Sequence, residues 1–185
     1  MIRTLTLLLL LSAPAWPGQT EEKIPLRFSM PGYFSCEEQS GWTAEIESGE
    51  KKYGVYQAVF TADYSGPLPV TVYVSYFTGK NRYFSGYGEY IQLNSRDDMA
   101  AETDKFSPVR KTRLAGRKTF VFDREEDQYL SADGSSDEKL RVKDKFYVLS
   151  AEEGFYVLHF SAPRTAYAGF LPAFERIAAS FRPEK

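Results

Sequence analysis

The chain has 185 residues, a formal net charge of -2, 43% hydrophobic and 16% aromatic residues, one cysteine and one histidine. This length fits one domain with its own core. The slight acidic balance argues against nucleic-acid binding, and a single Cys36 and a single His159 leave no disulfide framework and no His/Cys zinc site.

Met1 to Ala15 reads as a secretory signal peptide. Arg3 is the basic n-region, residues 5–11 the apolar core, and Ala13-Pro14-Ala15 the small-x-small cleavage site. The apolar run is shorter than the roughly 20 residues a membrane-spanning helix needs. Loss of Arg3 with the signal moves the net charge from -2 to -3. The expected location is periplasmic or secreted, with no transmembrane segment in the mature chain.

A single domain is expected over residues 24–182. Residues 24–30 form a first short strand that stops at Pro31-Gly32. Residues 42–47 alternate, with Trp42, Ala44 and Ile46 on one face, and a polar turn with Gly49 follows. Residues 53–62 and 70–77 are longer strands, separated by Ser65-Gly66-Pro67. Val70, Val72, Val74 and Tyr76 alternate with Tyr73 and Phe77, so this strand is apolar on both faces and belongs inside a covered sheet. Tyr83, Tyr87 and Tyr90 then fall at helical spacing and predict a short amphipathic helix over residues 83–93, weakened by Gly86 and Gly88. These three tyrosines are either packing or ligand-binding aromatics.

Residues 109–114 and 118–123 predict a hairpin around Ala115-Gly116. It carries Arg110, Lys111, Arg113, Arg117 and Lys118, which read as edge charges or as a docking patch for an acidic protein or an anionic membrane surface. Residues 124–138 are acidic and predict an exposed loop. Its Asp123, Glu125, Glu126, Asp127, Asp133, Asp137 and Glu138 match no EF-hand spacing. Residues 140–150 and 155–162 form a second hairpin across Glu152-Glu153-Gly154. A final helix is expected over residues 165–181, with Phe170, Phe174, Ile177 and Phe181 in one stripe and Pro172 bending it or opening its regular part.

The run Leu26-Arg27-Phe28-Ser29-Met30-Pro31-Gly32, the strand 70–77, the helix from Tyr83, the closing strand 155–163 and the helix Phe170-Leu171-Pro172-Ala173-Phe174-Glu175-Arg176-Ile177 together resemble the PsbP/Mog-type fold family, nearest its exported bacterial members. The resemblance implies an α+β fold, an antiparallel sheet of about six to seven strands flanked by helices in an α/β/α sandwich. It also implies a non-catalytic role, since the named members act by binding other proteins. The expected function is a protein-binding or accessory module of the cell envelope. The alternative is an extracytoplasmic binder of a small hydrophobic or aromatic ligand. No catalytic, cofactor-binding or metal-binding residues are expected. His159 reads as a structural histidine on a strand. Cys36 reads as a buried, inert thiol, or as a site of intermolecular oxidation. Gly-rich phosphate loops and nucleophile elbows are absent from the sequence.

Overall fold

The computed structural model describes residues 26–96, 100–130 and 137–185. The expected signal Met1–Ala15, the domain start at residue 24 and Asp133 in the acidic segment lie outside the described residues.

Chain order is β1 (Arg27–Met30), β2 (Phe34–Glu37), β3 (Trp42–Glu47), a 3-10 turn (Gly49–Tyr53), β4 (Val55–Ala62), β5 (Thr71–Thr78), α1 (Tyr87–Asn94), β6 (Lys105–Phe106), β7 (Arg110–Leu114), β8 (Arg117–Tyr129), β9 (Lys139–Ala151), β10 (Gly154–Pro163), α2 (Arg164–Ser180) and β11 (Arg182–Pro183). An antiparallel sheet runs β3-β4-β5-β10-β9-β8, with β6 and β7 both pairing β8; β1, β2 and β11 form a separate three-stranded sheet. The large sheet holds eight strands against the expected six to seven because the two-residue β6 is recruited by pairing with β8; β1, β2 and β11 stand apart in the second sheet.

β5 and β10 sit at the centre and are apolar on both faces. Val72, Val74 and Tyr76 join Tyr156, Leu158 and Phe160 on one face, where α2 contributes Phe174, Ile177 and Ala178. Phe34 of β2 meets Phe181 there, so the small sheet closes the same core. The opposite face gathers Phe77, Phe155, Val157, Phe146, Val148 and Phe122 around Tyr90 of α1. The molecule is therefore a sheet covered on both faces. α2 is also tied down by polar contacts: Tyr147 Oη donates to Glu175 (2.9 Å), Lys145 pairs with Glu175 (2.8 Å), and Arg176 donates to Gln39 (2.7 Å). Pro172 lies inside this helix.

Two turns depend on special backbone. Ala115 (φ 50°) and Gly116 (φ 75°) are the central pair of the β7–β8 hairpin, and both take the left-handed values that a two-residue hairpin turn needs. Gly154 (φ 131°) opens β10 against Thr78, and a Cβ there would stand 2.0 Å from the Phe77 carbonyl oxygen.

Two expectations are corrected. The first helix begins at Tyr87, not at residue 83. Asn81 accepts from the amides of Tyr83 and Phe84 and donates to the carbonyls of Thr78 and Phe84, which holds this stretch in a turn. The Glu89 carboxylate accepts from the Ser85 amide and hydroxyl and caps the turn just ahead of α1. The second concerns the first part of the acidic stretch, residues 124–129, which is strand and not loop: β8 continues through Tyr129. Asp123, Glu125 and Asp127 sit directly opposite Lys145, Lys143 and Arg141 of β9. Opposite charges facing each other across strands stabilise the ladder. Arg141 pairs with Glu125 (3.2 Å), Asp127 (3.2 Å) and Asp104 (3.0 Å), which also ties down the segment leading into β6.

Phe174 is fully buried between Phe160 (ring centroids 5.3 Å) and Tyr147 (5.6 Å). Phe174→Ala is expected to destabilise the fold by about 3 to 5 kcal/mol through loss of buried area and the cavity left behind. Urea unfolding monitored by circular dichroism measures it. A loss below about 1 kcal/mol would mean that α2 does not anchor this face.

Candidate functional site

The two helices cover their faces unequally. α1 has eight residues and reaches about 12 Å. β5 beneath it also has eight residues but extends for about 27 Å. One half of the α1 face is therefore left uncovered and forms a groove. Its volume is about 370 Å³, and Gln57, Thr71, Tyr73, Ser75, Gln128, His159 and Ser161 supply its polar lining, with Phe77 and Tyr90 at the α1 end and Leu68-Pro69 on the rim.

Strand register builds the floor. Tyr73, His159, Phe146 and Phe122 are successive neighbours across β5, β10, β9 and β8. Side chains directly opposite each other on antiparallel strands share a face. The four rings consequently stack as a row, with centroids 5.5 Å apart for Tyr73–His159, 4.2 Å for His159–Phe146 and 4.7 Å for Phe146–Phe122. One step along, Asp144 is fully buried. It accepts from His159 Nε2 at 3.0 Å and pairs with Arg124 at 2.9 Å, and Arg124 reaches Glu126 at 3.2 Å. The Arg124 guanidinium lies over the Phe146 ring at 5.5 Å. Burial works against the ionised form of Asp144. The hydrogen bond and charge of His159, the charge of Arg124 and a hydrogen bond from Ser161 outweigh it and hold the carboxyl below its ordinary value. On β10, His159 alternates to the same face as Phe155 and Val157, and sequence spacing offers it no partner. Asp144 is that partner, 15 residues away in sequence and adjacent across the β9–β10 pair.

The three tyrosines separate. Tyr90 is buried against Phe77, Phe84 and Phe155 and faces the groove; burial pushes its hydroxyl above the ordinary range. Tyr83 is 47% exposed, contacts Tyr53 edge-on and donates to Glu50 (2.8 Å). Tyr87 is 39% exposed and stacks on Phe120 at 5.6 Å.

The five basic residues of the β7–β8 hairpin also separate. Lys111 is opposite Phe120 and Arg113 opposite Lys118, so Lys111, Arg113 and Lys118 share the α1 face with the Tyr87–Phe120 stack. The Lys118 ammonium lies 5.8 Å from the Phe120 ring. Arg110 and Arg117 alternate to the α2 face, where Arg117 donates to the Lys185 carbonyl (2.6 Å). Two candidate groups that the sequence kept apart thus meet in one exposed aromatic and basic patch. The joining residue is Phe120, which sequence reasoning did not single out.

A second hollow of about 620 Å³ opens at the other face beside Tyr33, Tyr56 and Tyr76, flanked by Lys80 and Lys185. Cys36 is fully buried in β2, and burial pushes its thiol up to about 12. Among the described residues no cluster of His, Cys, Asp or Glu is arranged to hold a metal ion.

No protein-family model matches the chain, and no curated protein matches it. Solved structures do. The solution structure of cyanobacterial PsbP (CyanoP) from Synechocystis sp. PCC 6803 is similar at TM-score 0.52 and 13% identity, over 91% of this chain and 98% of that one. The fold is PsbP-like. A Bacteroides thetaiotaomicron VPI-5482 protein is similar at TM-score 0.53 and 15% identity, over 86% of this chain, which spans about half (48%) of that protein. LpqN of Mycobacterium tuberculosis, described as involved in cell envelope biogenesis, is similar at TM-score 0.51 and 12% identity, over 88% and 87% of the two chains. These neighbours bear out the α+β sandwich and the PsbP-like resemblance read from the packing residues. No helix among the described residues is long and apolar enough to cross a membrane.

Asp144 sets an acid limit on the site. A carboxyl whose folded value is depressed adds stability that is fully present above its unfolded value, about 4. That stability is lost as pH falls through the folded value. The protein is therefore expected to hold its stability from pH 7 to 5 and to lose it on acidification below about 4. At pH 7, Asp144→Ala should cost about 3 to 5 kcal/mol by leaving Arg124 without its buried partner, and it should flatten the acid-side decline. Thermal melts across pH test both. Cys36 is expected to stay unreactive to a thiol reagent at pH 8 in the native protein and to react in full in denaturant; rapid labelling of the native protein would show that β2 opens.

Proposed function

We propose that this chain is an exported, non-catalytic accessory module of the cell envelope that acts by binding an acidic protein partner. The carrying observation is the convergence of Lys111, Arg113 and Lys118 with the Tyr87–Phe120 stack on one face of the sheet. Exposed aromatic area beside exposed cations is the composition of a docking surface: the rings bring apolar contact, and the cations steer the approach of an acidic patch. β7 pairs with β8 and, among the described residues, with no other strand, so the basic side chains stand at the sheet margin and remain reachable. Export follows from the signal reading of Met1–Ala15, and the envelope setting draws support from the likeness to LpqN, described as involved in cell envelope biogenesis.

The non-catalytic part rests on the chain's two reactive side chains. His159 donates Nε2 to a carboxylate already held by Arg124, and Cys36 is buried with its thiol pushed up to about 12. A second reading, small-ligand binding, has its own support in the groove beside Tyr90 and Tyr73.

Simultaneous reversal of Lys111, Arg113 and Lys118 to Glu should weaken capture of the envelope partner by at least about tenfold, mostly through a slower association rate and most strongly at low salt. Arg110→Glu, on the opposite face, should leave capture unchanged. Cross-linking in envelope fractions followed by association kinetics provides the measurement. Equal losses for both variants, or binding to anionic vesicles in place of an acidic protein, would overturn this reading.

A further inference from the structure

We propose that the groove beside His159 is a binding site for a neutral saccharide, one or two sugar rings in length. It is distinct from the docking patch and does not depend on it.

The chemistry of the lining selects the ligand. Its side chains are hydroxyls (Thr71, Ser75, Ser161), amides (Gln57, Gln128), one imidazole and aromatic or apolar groups, with no Lys, Arg, Asp or Glu among them. The charges nearest the lining are Asp144, matched by Arg124 and Arg124 by Glu126, and the Glu47 carboxylate, which accepts from Gln57 at 2.6 Å. An anionic ligand meets no cation in this lining, and a cationic ligand meets no carboxylate in it, Glu47 standing behind Gln57. A purely apolar ligand would strip water from five hydroxyl and amide side chains without replacing their hydrogen bonds. What remains is a neutral molecule rich in hydroxyls.

Position excludes the common peptide modes. The groove lies on a sheet face, not along an edge, so it offers no backbone ladder to an added strand. Its polar lining does not fit the apolar side of an amphipathic helix.

Two features suit a sugar ring. Tyr73 is the outermost ring of the stacked row and lines the groove, which provides an aromatic surface for the weakly polarised C–H groups of a pyranose. His159 holds Asp144 through Nε2 at 3.0 Å, which leaves its other ring nitrogen, Nδ1, unused by that contact. Among the described residues none hydrogen-bonds Nδ1 and no buried side-chain polar atom lacks a partner, so Nδ1 is accessible to solvent. The array Gln57–Ser75 is already ordered: Ser75 Oγ donates to Gln57 Oε1 at 2.6 Å, and Gln57 Nε2 donates to Glu47 at 2.6 Å. Pre-set hydrogen-bonding groups of this kind fix the orientation of a ligand without an ordering cost. The volume of about 370 Å³ lies near the small end of ligand pockets, which span about 300 to 1,000 Å³.

The test is a heteronuclear NMR titration of the folded mature chain. The probes are glucose, maltose, N-acetylglucosamine and chitobiose, with glucuronate as the charged counterpart and p-cresol as the apolar aromatic one. At least one neutral sugar is expected to shift the resonances of Tyr73, Ser75, His159 and Ser161 saturably, with a Kd of about 0.1 to 10 mM. Glucuronate should bind more weakly than its neutral counterpart. Tyr73→Ala should weaken binding about tenfold by removing the aromatic surface, and Ser75→Ala about fivefold by removing one hydrogen bond. The Lys111, Arg113 and Lys118 reversal should leave the titration unchanged, so failure here is separable from failure of the docking patch. Absence of saturable shifts for all four neutral sugars in folded protein overturns the proposal. So does tighter binding of p-cresol or glucuronate, and so does sugar binding that survives both groove substitutions.

Discussion

The pairing of β5 with β10 is the constraint on which the rest of the structure depends. Both strands lie in the middle of the large sheet and carry large apolar side chains on both faces. Each face therefore demands its own cover. α2, 17 residues long, meets that demand on one side with Phe174, Ile177 and Ala178, and the small β1–β2–β11 sheet completes it through Phe34 and Phe181. α1 meets it on the other side with only eight residues and one fully committed ring, Tyr90. The groove is the direct result of this inequality.

Uncovered sheet cannot stay apolar without becoming an adhesive patch. Along β5 and β10 the residue type changes where α1 ends. Phe77 and Phe155 lie beneath the helix, and Ser75, Tyr73, His159, Thr71 and Ser161 lie beyond it. A buried carboxylate at that boundary is costly on its own. Here Arg124, His159 and Ser161 satisfy it from neighbouring strands, and the Phe146 ring backs both Arg124 and His159. The result is a rigid, polar floor set on strands rather than loops, which favours precise placement of whatever it holds.

The outer strands solve a different problem with charge. β8 and β9 extend well past α1, so little apolar cover is available to their far ends. Acidic side chains on β8 and basic ones on β9 face each other at alternate positions, and Arg141 gathers three carboxylates. At its other end β8 joins β7 in the basic hairpin, where no acidic strand opposes Lys111, Arg113 and Lys118. One end of this sheet edge is neutralised internally, and the other presents its charge outward.

Much of the fold was legible in local pattern. The double-faced apolar alternation of residues 70–77, the stripe Phe170, Phe174, Ile177 and the Ala115-Gly116 turn each specify their element by side-chain period or backbone freedom, which are local properties. The acidic stretch after Arg124 was not legible in the same way, because its strand character depends on Arg141, Lys143 and Lys145 standing opposite. The alternation Lys139, Arg141, Lys143, Lys145 against Asp123, Glu125, Asp127 was the signal that could have shown it. The start of α1 escaped for a related reason: Asn81 holds the preceding turn through contacts that spacing alone does not encode. The sites belong wholly to the tertiary structure. Sequence by itself determined which chemical groups this chain possesses, one imidazole, one thiol and a basic hairpin. Register across β5, β10, β9 and β8 decided that His159 meets Asp144, that Tyr73 flanks it, and that Phe120 joins Tyr87 to Lys118. Such neighbours are set by strand pairing between segments far apart in the chain, and a one-residue slip would turn each of them to the opposite face.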